Sequence, residues 1–252
     1  MITIGVLDSG VGGLSVLREI LKVLPDCQFI YYADSANCPY GGRRREWITG
    51  RVREVVHELI GRGAQAIVLA CNTATGAAIE TLRTEMPDIP FIGMEPAVKP
   101  AAIASKTGVI GVLATKSTLG ASKYIGTRER YAGNVKVLES VGEGFVELVE
   151  KGLLTGEEAE RTVRRAIAPL LEGGADNIVL GCTHYPFLLE TLQKVAGPAV
   201  NFIDPAPAVA RRLVSVLREK GLIEAQKKQR HNVTLLCSGS DETLKALYDS
   251  LF

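Results

Sequence analysis

One pattern occurs twice in this chain and fixes its plan. Residues 63–71 read Gly-Ala-Gln-Ala-Ile-Val-Leu-Ala-Cys, and residues 174–182 read Gly-Ala-Asp-Asn-Ile-Val-Leu-Gly-Cys. Each copy runs from a Gly-Ala turn through a short apolar stretch to a cysteine, Cys71 or Cys182. Polar residues follow, Asn72 and Thr73 in one copy and Thr183 and His184 in the other. A short continuous apolar run between turn signals predicts a buried parallel strand. Helical patterns follow at Ala77–Arg83 and Pro186–Val195. Each thiol is therefore expected at the carboxyl end of a strand and the start of a helix. Open α/β sheets bind their ligands at that place, and helix-terminal N–H groups there favour thiolate over thiol.

The repeat extends beyond the cysteines. Ile4-Gly-Val-Leu7 recurs as Ile110-Gly-Val-Leu113, and Phe91-Ile92 with Glu95-Pro96 is echoed by Phe202-Ile203 with Asp204-Pro205. The offsets are 106 (Ile4 to Ile110), 111 (Cys71 to Cys182) and 109 (Pro96 to Pro205). Three segments in one order at nearly one offset indicate two similar halves. Strands and helices alternate in both, so the class is parallel-sheet α/β. Glu95–Pro100 and Asp204–Pro207 read as crossings between the halves. A helix over 208–220, a strand over 233–237 and a helix over 241–251 have no counterpart in the second half and are assigned back to the first. The expected organisation is a discontinuous first domain, 1–97 with 207–252, and a second domain, 98–206, with the ligand in the cleft between them.

Composition narrows the function. With 252 residues there is enough chain for two modest cores, and a formal net charge of +1 argues against nucleic acid or an anionic membrane as partner. No apolar run approaches the ~20 residues of a membrane span, and the first strand begins without a signal-peptide pattern. Five cysteines, an odd number without CxxC spacing, fit reduced cytoplasmic thiols rather than a disulfide framework. Cys27, Cys38 and Cys237 lie outside the repeat and read as structural. His57, His231 and Arg43-Arg44-Arg45 read as solvated. Over Arg43–Ile60 the pattern predicts an amphipathic helix with Trp47, Val52, Val55, Val56 and Leu59 inward, and Ser35–Gly42 reads as loop.

Several chemistries compete for the two thiols. Asp8-Ser-Gly-Val-Gly-Gly13 follows a strand and opens a helix, as a dinucleotide loop does, but Ser15 stands where the third glycine belongs and Asp8 would repel a pyrophosphate. A small zwitterion suits the place better, with Asp8 facing an ammonium group or polarising a thiol, and Ser9 and backbone N–H groups holding a carboxylate. Cys71, Cys182 and His184 could supply three zinc ligands, yet none falls in a CxxC or HxxxH pattern. A disulfide oxidoreductase would bring its sulfurs together. A racemase instead needs two acid–base groups on opposite faces of one carbon, which a duplicated domain can supply. A free thiol, with a pKa of ~8.5, can serve once its environment lowers that value.

Asp8-Ser-Gly-Val-Gly-Gly13, Tyr32-Ala33-Asp34, Pro39-Tyr40-Gly41, Ala70-Cys-Asn-Thr-Ala74 and Gly181-Cys-Thr-His-Tyr-Pro186 together resemble the glutamate racemases of the cofactor-independent aspartate/glutamate racemase superfamily. The resemblance spans the chain. It implies interconversion of L- and D-glutamate, D-glutamate supply for peptidoglycan, no cofactor or metal, and two pseudo-symmetric α/β domains in a cytoplasmic homodimer. It further implies that Cys71 is the base for D-glutamate, assisted by Asp8, and that Cys182 is the base for L-glutamate, assisted by His184 with Glu150 in support. Ser9, Tyr40, Gly41, Asn72, Thr73, Thr183 and His184 would contact the substrate, as would Thr115 and Thr118. A racemase for aspartate or a related acid is the nearest alternative, and a small-ligand or metal-binding module a more remote one.

Overall fold

A computed structural model describes residues 1–24, 26–131, 133, 135–223 and 232–252. Pro25 and His231 lie outside the described residues. The chain divides into two compact units, Met1–Met94 with Ala206–Phe252 and Glu95–Pro205.

The first unit runs β1 (Thr3–Asp8), α1 (Leu14–Val23), β2 (Gln28–Ala33), α2 (Arg45–Gly61), β3 (Ala66–Leu69), α3 (Asn72–Glu85) and β4 (Phe91–Gly93). The second unit runs α4 (Val98–Ala104), β5 (Val109–Ala114), α5 (Lys116–Leu119), α6 (Ser122–Tyr131), β6 (Lys136–Val141), α7 (Phe145–Glu150), α8 (Glu157–Glu172), β7 (Asn177–Gly181), α9 (Leu189–Ala196) and β8 (Asn201–Ile203). The chain then returns to the first unit as α10 (Ala206–Glu219), β9 (Asn232–Cys237) and α11 (Glu242–Leu251).

Both sheets are parallel in every pairing. The first has the order β4-β3-β1-β2-β9 and the second β6-β5-β7-β8. Read from the other edge, the second is β8-β7-β5-β6, the order of the first without β9. The sequence repeat is thus a repeat of topology. In each sheet the order reverses beside the central strand, between β1 and β3 in one and between β5 and β7 in the other. That reversal opens a crevice at the strands' carboxyl ends.

Alternation sets the two faces of the first sheet. Leu7, Ile30, Tyr32, Ile67 and Leu69 form a core with α2 and α3. Phe29 and Tyr31 therefore point to the other face, where α1 and α10 pack against each other. The buried stripe of α2 is Ile48, Val52, Val55, Val56 and Leu59. Trp47 is exposed rather than inward. It meets Tyr40 edge-on at 5.7 Å, with the Arg43 guanidinium 5.0 Å above its ring. Such a stack holds an indole at the surface without burying it. The Ser35–Gly42 segment is not plain loop either, since it makes short 3₁₀ turns at Ser35–Asn37 and Tyr40–Gly42. Gly120-Ala121 separates the short α5 from α6.

Candidate active site

Cys71 closes the loop after β3 and is the N-cap of α3, where its sulfur accepts a hydrogen bond from the Ala74 N–H at 3.4 Å. A helix N-terminus favours negative charge, so the thiolate is supported at this sulfur. The Cys71 Sγ–H donates to Ser9 Oγ at 3.6 Å. Ser9 follows β1, the strand paired with β3 at the topological reversal. Beside it the fully buried Asp8 accepts from the Gly10 N–H at 2.9 Å. That N–H is thus taken by the chain's own carboxylate. Asn72 and Thr73 open α3 and are buried. Neither amide atom of Asn72 has a hydrogen-bond partner among the described residues. A buried amide left unmatched costs about 1–3 kcal/mol, which a polar ligand can repay.

Cys182 follows β7 in the second sheet, at the matching reversal. Its sulfur lies 3.8 Å from His184 Nδ1, and His184 Nε2 lies 2.7 Å from Glu150 Oε1 at the end of α7. His184 is buried and Glu150 partly buried. The carboxylate selects the tautomer with hydrogen on Nε2, which turns the Nδ1 lone pair toward the thiol. Three groups from two elements thus form one line from carboxylate to sulfur. One expectation fails here. Cys182 does not begin an α-helix, because Tyr185–Leu188 makes a 3₁₀ turn before α9 starts at Leu189. Pro186 brings no N–H to this turn. The imidazole, rather than a helix terminus, is the polar partner of this sulfur.

The other expected residues fall into two groups. Thr183 is buried beside Cys182. Thr115 caps α5, with its Oγ1 accepting from the Thr118 N–H at 3.3 Å and 2.9 Å from Thr118 Oγ1. The pair stands after β5, the neighbour of β7. Tyr40 and Gly41 lie in the 3₁₀ turn before α2. The Tyr40 hydroxyl is already spent, donating to Asp34 Oδ2 at 2.6 Å. His57 is exposed, as expected. Cys27 is buried, and burial with the nearby Asp26 pushes its thiol up to about 11, so it stays protonated and inert.

Sequence reasoning missed Arg51. From α2 it grips the fully buried Asp34 with both prongs, Nε to Oδ2 at 2.9 Å and the second terminal nitrogen to Oδ1 at 2.8 Å. Asn37 adds a third donor at 3.1 Å. Burial alone would raise the Asp34 carboxyl, but hydrogen bonds from Arg51, Tyr40, Ser238 and Asn37 outweigh it and hold it down at about 2. This carboxylate is the hub that ties the 34–43 turn to the sheet. A depressed carboxyl stabilises the fold above its unfolded value, and the contribution disappears as pH falls through the folded value. We expect Asp34→Asn to lose roughly 2 kcal/mol at neutral pH, with the difference from the parent protein closing between about pH 4 and pH 2. Urea midpoints across that range measure it; a difference that persists at pH 2 would contradict it.

Comparison with known proteins bears on both centres. A family model described as Asp/Glu/Hydantoin racemase matches residues 4–213. A glutamate racemase of Herpetosiphon aurantiacus is 48% identical over 226 residues, covering 90% of this chain and 89% of that protein. Among solved structures, a glutamate racemase isoform of Bacillus anthracis has a TM-score of 0.88 at 33% identity, covering 99% of this chain and 93% of that one. Glutamate racemase of Escherichia coli, solved with L-glutamate and the activator UDP-MurNAc-Ala, has a TM-score of 0.87 at 33% identity and covers 99% and 95%.

Proposed function

The chain belongs to the Asp/Glu/hydantoin racemase family, and from that membership we propose that it interconverts L- and D-glutamate by proton transfer at the α-carbon between two thiols. The observation that carries this reading is the matched pair of centres. The same strand pair of each sheet presents one cysteine at its carboxyl end, with polar partners close to the sulfur.

Cys182 takes the α-proton of L-glutamate, while Cys71 delivers its own proton to the other face of the carbon. The reverse reaction exchanges the roles. For Cys182 to act as base it must first be a thiolate, and the His184 Nδ1 lone pair is the group that accepts its proton. Glu150 stabilises the imidazolium that results. At Cys71 the Ala74 N–H supports the thiolate, and Asp8 assists it. Removing the α-proton leaves negative charge spread toward the substrate carboxylate. Asn72, Thr73, Thr183 and Ser9, with the Tyr40-Gly41 turn, Thr115 and Thr118, are the hydrogen-bonding surroundings we assign to the substrate.

We place the enzyme in the cytoplasm, as a homodimer, with D-glutamate feeding peptidoglycan. Among the described residues no helix is long and apolar enough to cross a membrane. Chiral chromatography on a panel of amino acids without added cofactor tests the substrate, and turnover of aspartate alone would exclude glutamate. Metal analysis of the active protein tests the module reading.

Deuterium oxide tests the mechanism. A thiol carries one proton, so in the two-thiol reaction the delivering sulfur holds deuterium and the accepting sulfur holds the substrate's hydrogen. Product formed at a few per cent conversion is expected to carry deuterium at the α-carbon, and remaining substrate to be largely unlabelled, from either enantiomer. Product that retains its original hydrogen would mean one base serving both faces.

A further inference from the structure

A phenol with no solvent exposure sits beneath the Asp8–Gly13 loop. Tyr31 lies mid-strand in β2, on the face opposite α2 and α3, and is wholly buried. A buried hydroxyl must spend its hydrogen, and Tyr31 donates it to the Gly10 carbonyl at 2.8 Å. The Gly10 N–H is committed as well, to Asp8 Oδ1 at 2.9 Å. Gly10 is therefore fixed through both of its backbone polar groups, one by Tyr31 and one by Asp8. Ser9, whose hydroxyl accepts from the Cys71 thiol at 3.6 Å, is the residue between Asp8 and the Gly10 so fixed.

Gly13 supplies the room for this arrangement. Its φ is −63°, open to any residue, so conformational freedom is not the reason for glycine. A Cβ there would stand 2.6 Å from Asp8 Cβ, 2.9 Å from Tyr31 Oη and 3.1 Å from Ala70 Cβ. The carboxylate's stem, the phenol and the residue before Cys71 all converge on the space that the missing side chain leaves.

We infer that Tyr31 is a positioning residue of the Cys71 centre: its hydroxyl, seated in the space left at Gly13, sets the loop that aims Asp8 and Ser9. This rests on the assignment of Asp8 and Cys71 to the D-glutamate half of the reaction. Tyr31→Phe deletes one oxygen and keeps the ring, so the sheet stays packed. The loss of one buried hydrogen bond corresponds to a change of about 5–10-fold. We expect kcat with D-glutamate to fall by that factor and kcat with L-glutamate by less than twofold. The values of kcat/KM fall equally in both directions, because the equilibrium constant of a racemase is one. Gly13→Ala should produce the same bias more strongly. A purely structural role would lower both kcat values together or only the melting temperature.

The experiment measures both directions for Tyr31→Phe, Gly13→Ala and Asp8→Asn in the full chain, with far-UV circular dichroism on each. A D-side bias in Asp8→Asn that is absent from Tyr31→Phe overturns the Tyr31 inference and leaves the Asp8 assignment standing. No D-side bias in Asp8→Asn overturns that assignment and the inference with it. A D-side bias in both variants is the expected result.

Discussion

Cys71→Ala and Cys182→Ala are each expected to lower racemisation by about 10²–10⁴-fold or more in both directions, the range attributed to a positioned proton-transfer group. Either thiol must act in every turnover, as donor or as acceptor, so one cannot cover for the other. The folds should survive. Each sulfur stands beyond the end of its strand, and its replacement leaves the strand ladder untouched. Cys27→Ala, Cys38→Ala and Cys237→Ala should retain most of the activity, which controls for thiol loss as such. The check is steady-state racemisation from each enantiomer, with circular dichroism for the fold. Near-parental turnover in Cys71→Ala or in Cys182→Ala would end the two-thiol reading.

His184→Asn is the second large effect, about 10²-fold in kcat with L-glutamate. Asparagine fills part of the space but cannot take a proton, so Cys182 loses its base. With D-glutamate, Cys182 only donates its proton in the chemical step, and the loss of kcat there should be smaller. KM must shift to keep kcat/KM equal in the two directions. Glu150→Gln should show the same bias at a fraction of the size, since glutamine can still accept from Nε2–H but cannot stabilise an imidazolium charge. Equal kcat losses in the two directions for His184→Asn would contradict its pairing with Cys182.

The strands and both thiols were legible because the repeat states them twice, and because a buried parallel strand is written as an uninterrupted apolar run. What escaped did so for identifiable reasons. Arg51 lies on a helix rich in charge, where a lone arginine reads as solvated. Its partner Asp34 is 17 residues earlier and carried no sign of being buried. The sequence does carry a signal: a carboxylate at the end of an interior strand needs a counter-charge, and Arg51 adjoins the inward Val52. The pattern predicts Trp47 inward because a large apolar residue dominates a helical stripe, but the phase is set by Ile48, Val52, Val55 and Leu59. Nothing in an apolar run distinguishes a phenol that only fills space from one such as Tyr31 that also bonds a loop carbonyl, so this contact leaves no mark in the sequence. At Cys182 the matched sequence context suggested a matched helix start, and the tight turn around Pro186 replaced it. Repeats transmit strand order faithfully. They transmit the local electrostatics at the strand ends much less well.

The first sheet takes its outer strand β9, Asn232–Cys237, from beyond the whole second unit, pairing it with β2 from Gln28↔Asn232 to Ala33↔Cys237. During synthesis the second unit, one continuous stretch, can close its sheet while the first still lacks an edge. Until β9 emerges, β2 presents an open row of backbone donors and acceptors, with Phe29, Ile30, Tyr31 and Tyr32 in sequence along it. A nascent chain in that condition is open to pairing with a neighbour on the same polysome. A chain truncated before residue 232 leaves this edge of β2 unpaired, and light scattering of such a fragment is expected to show more aggregation than the full chain. The C-terminal segment acts as the final seal on a sheet begun some two hundred residues earlier.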